Sequence, residues 1–280
     1  MTARGLDGAV RAALDSARER LGRRTVQDSS DAIRGGNNLY LWQWAFLERQ
    51  AGRSAAVVRS ATMPDWLAEF PLLGELTIDR ADLRFLDRRR FATRFVFDLD
   101  FDRRQCALFC RALVASSPDF RRRIAAAEEQ VGPGTVVVNV RRGDYYSVPE
   151  FSRRFALDIP HHVTEALTML RAEGRDTTDV LVVSDDVDWC RRELAEILGP
   201  FRTLRGRTSM FDDLAALAAS RTLVLANSTF SYWGSYLAGS RDIAHRAIAP
   251  SHHEILPDGQ RVAPMLDPAW PRTGFRPLPR

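Results

Sequence analysis

The sequence predicts an α/β fold with a parallel sheet covered by helices, and three observations carry that prediction. Apolar, β-branched runs alternate with stretches of helical spacing from residue 135 to residue 249. Three of these runs end in polar clusters: Val136-Val137-Val138-Asn139-Val140 in Arg141-Arg142-Gly143-Asp144, Val180-Leu181-Val182-Val183 in Ser184-Asp185-Asp186, and Thr222-Leu223-Val224-Leu225-Ala226 in Asn227-Ser228-Thr229. Open α/β sheets bind ligands at the carboxyl ends of their strands, so polar ends gathered on one edge mark a site. Gly132-Pro133-Gly134 then divides the chain into two halves.

Taken in order, residues 1–33 read as an amphipathic helical extension (6–21) and a polar linker, in which 27–32 is a poor strand. The first half, 34–131, offers a helix over 39–51, strands near 55–58, 76–78 and 95–99, and helices over 103–115 and 119–131. The second half, 132–250, alternates strands at 135–140, 180–184, 201–204, 221–226 and 246–249 with helices at 156–173, 187–198, 210–219 and 229–239. Residues 251–280 form a proline-rich tail expected to pack on the surface.

Composition narrows the function classes. With 280 residues and 45% hydrophobic content the chain has material for buried cores. No apolar run approaches the ~20 residues that span a bilayer, and residues 1–24 lack an apolar signal core, so a cytoplasmic location is expected, with peripheral contact to a membrane left open. The net charge is +4, all forty basic residues are arginine, and the runs Arg88-Arg89-Arg90 and Arg121-Arg122-Arg123 are interleaved with acids. Those runs read as solvated faces rather than a nucleic-acid surface, and no nucleic-acid partner is expected. Cys106, Cys110 and Cys190 fall in helical segments and suit reduced, buried thiols. The pairs His161-His162 and His252-His253 have no metal-site spacing, because adjacent side chains point apart.

The arginine pair carries the chemistry. A guanidinium presents a planar fork of donors that matches phosphate oxygens, and Gly143 lets the backbone turn so that Arg141, Arg142 and Asp144 face one point. A helix from Thr229 capped by Asn227 or Ser228 would turn its free N–H groups and positive dipole end toward the same anion. The pattern fits a diphosphate.

Residues 139–145 (Asn-Val-Arg-Arg-Gly-Asp-Tyr), Ser184-Asp185-Asp186 followed by Trp189, and residues 227–237 resemble the three ordered signatures of the α-1,2-fucosyltransferases of glycosyltransferase family eleven. Gly35-Gly36-Asn37-Asn38-Leu39 resembles that family's amino-terminal segment. The chain departs from the pattern at Asn139, where the family usually carries histidine, and in the amino-terminal segment itself.

The resemblance implies a GT-B-like fold, two Rossmann-like domains with the donor in the cleft. It implies an inverting transfer of L-fucose from GDP-β-L-fucose to a glycan or glycoside hydroxyl, galactose O2, with no cofactor and no metal. On it, Arg141 and Arg142 stabilise the departing diphosphate, and Asp144 serves as base or as a salt bridge orienting Arg142. Donor contacts are expected from Gly35, Gly36, Asn37, Asn139, Asn227, Ser228, Thr229 and Phe230, and from Ser184, Asp185 and Asp186 toward guanine or ribose. Rival readings are another acceptor or linkage, a metal held by Asp98-Leu99-Asp100, and a non-catalytic nucleotide- or nucleic-acid-binding protein.

Overall fold

The computed structural model describes residues 24–241 and 243–278. The expected amino-terminal helix at 6–21 lies outside them. The described chain forms two units that divide between Phe95 and Val96.

The first unit is built on four parallel strands, β1 (Thr25–Gln27), β2 (Ala55–Val58), β3 (Thr77–Ile78) and β4 (Arg88–Arg90), in the order β3-β2-β1-β4. Two of these elements correct the sequence expectation. The linker contains β1, a central strand pairing with both β2 and β4. The strand expected at 95–99 is instead a tight turn, with Asp98 at φ 64° and a single bridge from Phe97 to Phe101, and the edge strand is the arginine run. Helix Asn37–Gln50 connects β1 to β2 and buries Leu39, Trp42 and Phe46.

The second unit holds β5 (Val136–Val140), β6 (Val180–Ser184), β7 (Arg202–Thr203), β8 (Thr222–Val224) and β9 (Arg246–Ile248), all parallel in the order β7-β6-β5-β8-β9. The α/β class with two Rossmann-like sheets expected from the sequence is the one observed. Alternation along β5 sends Val136, Val138 and Val140 into one core with Val163, Leu167 and Leu170 of helix Ile159–Ala172. Two further short helices, Gly143–Ser147 and Pro149–Phe155, precede that helix.

Helices Arg103–Ser116 and Pro118–Glu128 belong to the second unit, not to the 34–131 half expected from the sequence. Their buried faces, Phe109 and Leu113 on one and Phe120 and Ile124 on the other, pack with helices Thr229–Gly239 and Met210–Ala219. Phe109 meets Trp233 edge to face at 5.6 Å. The 251–280 segment is likewise more than a surface tail. It contains the hairpin β10 (Glu254–Ile255) and β11 (Arg261–Val262), buries Met265, Leu266, Asp267 and Thr273, and is tied down by Asp267 to Arg103 at 2.7 Å.

Helix Thr229–Gly239 approaches helix Met210–Ala219 so closely that a Cβ on Gly234 would sit 2.5 Å from Leu217 Cβ. Gly234→Ala is therefore expected to destabilise the fold by about 1–3 kcal/mol through overpacking. A thermal midpoint equal to that of the parent chain would show that this contact is looser than described.

Candidate functional site

The five-stranded sheet reverses its winding between β5 and β8, the switch point at which open α/β sheets take ligands. Both strands end there in the expected polar clusters. A small cavity at this point is lined by Asn139, Arg141, Tyr145, His162, Ala226 and Asn227 among others.

The parallel register of β5 with β6 pairs Val140 with Ser184, which brings Arg141 and Arg142 beside Asp185. Asp185 Oδ1 accepts the Arg142 backbone N–H at 2.8 Å, and its Oδ2 pairs with Arg141 Nη1 at 2.8 Å. Arg141 Nη2 also donates to Asp144 Oδ1 at 3.2 Å. The turn that permits this needs glycine. Gly143 has φ +34°, and a Cβ there would lie 2.8 Å from Arg141 Cζ.

Arg142 is held differently. Its guanidinium carbon lies 4.3 Å from the Trp189 ring centroid and 4.7 Å from that of Tyr146. Tyr146 is pinned in turn, donating from its hydroxyl to the Leu157 carbonyl at 2.6 Å. Arg142 Nε is 3.4 Å from Asp186 Oδ2 but lacks hydrogen-bond geometry, so this buried donor is unsatisfied. Rings on the guanidinium orient it while leaving its edge for an anion. Tyr146 was not among the site residues expected from the sequence; its position four residues after Arg142, on helix Gly143–Ser147, was the available signal.

Several expected donor contacts have structural partners instead. Asp144 pairs with Arg141 rather than orienting Arg142. Asp185, expected at guanine or ribose, holds the arginine loop; Asp186 caps helix Val187–Glu193 through the Trp189 N–H at 3.0 Å, and Ser184 Oγ accepts the Asp186 N–H at 2.9 Å. Asn139 donates to the Val183 carbonyl at 2.8 Å. Asn227 donates to the carbonyls of Phe155 (2.7 Å) and His253 (3.0 Å) and accepts from Tyr232 Oη at 2.9 Å, so its amide cross-links three segments and does not cap the helix. Ser228 is the N-cap residue, but its side chain makes no cap hydrogen bond; Thr229 is buried and Phe230 half-buried in the first turn.

Gly35, Gly36 and Asn37 lie in the first unit, where Gly35 has φ +53° and Gly36 is the N-cap of helix Asn37–Gln50. The neighbouring Asn38, part of the amino-terminal segment but not among the expected donor contacts, is fully buried with Nδ2 on Thr62 and Oδ1 unsatisfied. In the Asp98-Leu99-Asp100 turn, Asp100 Oδ2 accepts the Val96 N–H at 2.8 Å.

Residues 124–256, a segment that includes β5, β6, β8 and their polar ends, match the family model described as glycosyl transferase family 11. That segment is just under half of the chain, and the likeness to glycosyl transferase family 11 is a likeness of that part. Among curated relatives, an alpha-1,2-colitosyltransferase of Escherichia coli is 29% identical over 106 residues, 37% of this chain and 36% of that protein. A galactoside alpha-(1,2)-fucosyltransferase 1 of Saimiri sciureus is 27% identical over 163 residues, 54% and 44% of the two chains. The chain thus spans less than half the length of either relative. Among solved structures, an E. coli ADP-heptose heptosyltransferase II aligns with TM-score 0.44 and 14% identity over 90% of both chains. The NodZ α-1,6-fucosyltransferase soaked with GDP-fucose aligns with TM-score 0.41 and 12% identity over 77% of this chain and 93% of that one.

Two buried histidines lie at or beside the arginine site, His162 lining its cavity and His253 packed on Tyr232. His162 bridges the Leu225 carbonyl (Nε2, 2.8 Å) and Thr273 Oγ1 (Nδ1, 2.7 Å), and His253 Nδ1 meets Tyr232 Oη at 3.1 Å. Burial pulls both rings down to about 4. Between there and an ordinary value of about 6.5 the unfolded chain binds protons that the folded chain excludes, so stability is complete above that window and falls as pH drops through it. Thermal unfolding at pH 7.5 and 4.5 is expected to show a marked loss at the lower pH. A flat profile would mean that these rings are solvated.

Proposed function

We propose that this chain transfers L-fucose, with inversion, from GDP-β-L-fucose to a sugar hydroxyl, galactose O2, without a metal. The observation that carries the reading is the difference between the two arginines. Arg141 is neutralised by hydrogen-bond-range contacts to Asp185 and Asp144, whereas Arg142 lies against two rings, with its Nε unsatisfied and Asp186 at 3.4 Å. A guanidinium fixed by rings at a switch point, and less fully paired than its neighbour, suits a diphosphate oxygen. As the glycosidic bond breaks, charge grows on that oxygen, and a preorganised donor then stabilises the transition state more than the ground state.

Other groups complete the proposal. The N-terminus of helix Thr229–Gly239, behind Ser228, Thr229 and Phe230, supplies backbone donors to the same phosphates. Asp144, 41% exposed at its side chain, is the carboxylate proposed to take the acceptor's proton. The matching segment and the relatives' names support fucose and the α-1,2 linkage; one relative is named for colitose, so the donor panel includes that sugar. No helix among the described residues is long and apolar enough to cross a membrane.

The test is product analysis with GDP-fucose, GDP-colitose and a panel of galactosides. Arg142→Ala is expected to lower turnover about 100- to 1000-fold, the usual cost of removing one donor from a developing oxyanion. Arg142→Lys should restore little, because an ammonium neither forks nor stacks as guanidinium does. Near-normal turnover by folded Arg142→Ala would remove this residue from the reaction.

Activity is also expected to survive EDTA, since fixed guanidinium charge and the helix N-terminus take the place of a divalent ion. Loss on chelation with recovery on manganese, together with loss in Asp98→Ala, would transfer the role to the Asp98-Leu99-Asp100 turn.

A further inference from the structure

The arginine run at the edge of the first sheet is not part of the Arg141–Arg142 site, and its surroundings differ from a merely solvated face. Among the described residues β4 has a neighbour on one side only. Arg90 turns inward, its guanidinium 4.9 Å from the Trp44 ring centroid and 2.7 Å from Gln27 Oε1. Arg84, Arg88 and Arg89 are exposed. The only acid among residues 84–94 is Asp87, which is 7% exposed and paired with Arg24 at 2.7 Å. Bracketing the strand are Phe85, 95% exposed, and Phe91, 67% exposed. Arginines alone blunt a sheet edge against pairing. They do not account for two phenylalanines held in water beside them.

We propose that this edge docks on an anionic lipid surface, with Arg84, Arg88 and Arg89 against headgroup phosphates and Phe85 and Phe91 seated at the interface. A bilayer interface takes both chemistries at once, since aromatic rings settle at headgroup depth and arginine stems lie along the acyl boundary with their charge outward. A single nucleic-acid strand also offers phosphates, but it is held in grooves whose walls supply the stacking rings. Phe85, 95% exposed, touches almost nothing of its own protein, and Phe91 lines a shallow cavity whose wall carries Asp28, an acid that a phosphate strand would meet. The proposal concerns the first unit and does not rest on the fucosyltransferase reading.

Co-sedimentation of the full chain with vesicles of phosphatidylcholine, with and without phosphatidylglycerol, tests it. Binding is expected to the mixed vesicles alone and to weaken with salt. Arg88→Glu with Arg89→Glu should lower it at least 25-fold, at about fivefold for each arginine removed. Phe85→Ser with Phe91→Ser should lower it about tenfold or more. Both double variants change exposed side chains, and their unfolding midpoints establish that they are folded. No binding to mixed vesicles, equal binding to both kinds, or undiminished binding by either folded variant overturns the proposal. An oligothymidylate that binds through these residues in place of the vesicles overturns it in favour of nucleic acid.

Discussion

The site depends on one carboxylate. Two adjacent guanidiniums at the end of a strand repel each other and swing into solvent unless a fixed anion gathers them. Asp185 does so with one oxygen on the Arg142 backbone and the other on the Arg141 side chain. Its position follows from the β5–β6 register, in which Val140 stands opposite Ser184. A slip of one residue would turn Arg141 to the other face. Gly143 is the second half of the same constraint, because any larger residue would enter the space of Arg141 Cζ and Asp185 Oδ2. Register, turn and ion pair therefore specify one another.

The two arginines consequently do different work. Arg141 closes a small network with Asp185 and Asp144, whose side chains are 26% and 41% exposed, so the pairing is screened and contributes more to orientation than to stability. Arg142 projects between Tyr146 and Trp189. Aromatic faces hold a guanidinium in place without using its hydrogen-bond donors, unlike a carboxylate partner. The carboxylate beside Arg142, Asp186, stands 3.4 Å from its Nε without hydrogen-bond geometry, so the rings set the orientation more than the acid does.

Much of this was legible in the sequence, for physical reasons that differ by element. Val136–Val140 and Val180–Ser184 are buried on both faces, and such strands read as continuous apolar runs. The edge strand Arg88–Arg90 could not be read that way, since its side chains are polar and its pairing with Thr25–Gln27 is set by backbone alone. The domain boundary was displaced because the helical patterns of 103–116 and 118–128 show that they bury a face but not against which sheet. At the site, the arginine pair and its glycine were visible as residue types, whereas the capping by Asp186 and the threefold anchoring by Asn227 are tertiary choices. Asn227 in particular stands where a helix cap was expected, yet its amide joins Phe155, His253 and Tyr232.

Asn139 shows how such a choice bears on mechanism. It is 8% exposed and donates to the carbonyl of Val183, beyond the last residue at which β6 is paired with β7. The amide thereby completes the sheet edge just below the arginines, and it donates in every protonation state. Imidazole at the same place would gain positive charge on acidification beside two guanidiniums. An uncharged side chain removes that repulsion, and with it a proton acceptor at this point of the strand. In the proposed reaction the acceptor's proton must then leave by another group. Asp144 lies in the first turn of helix Gly143–Ser147 and shares Arg141 with Asp185, so the network that fixes the arginines also fixes the carboxylate proposed as base.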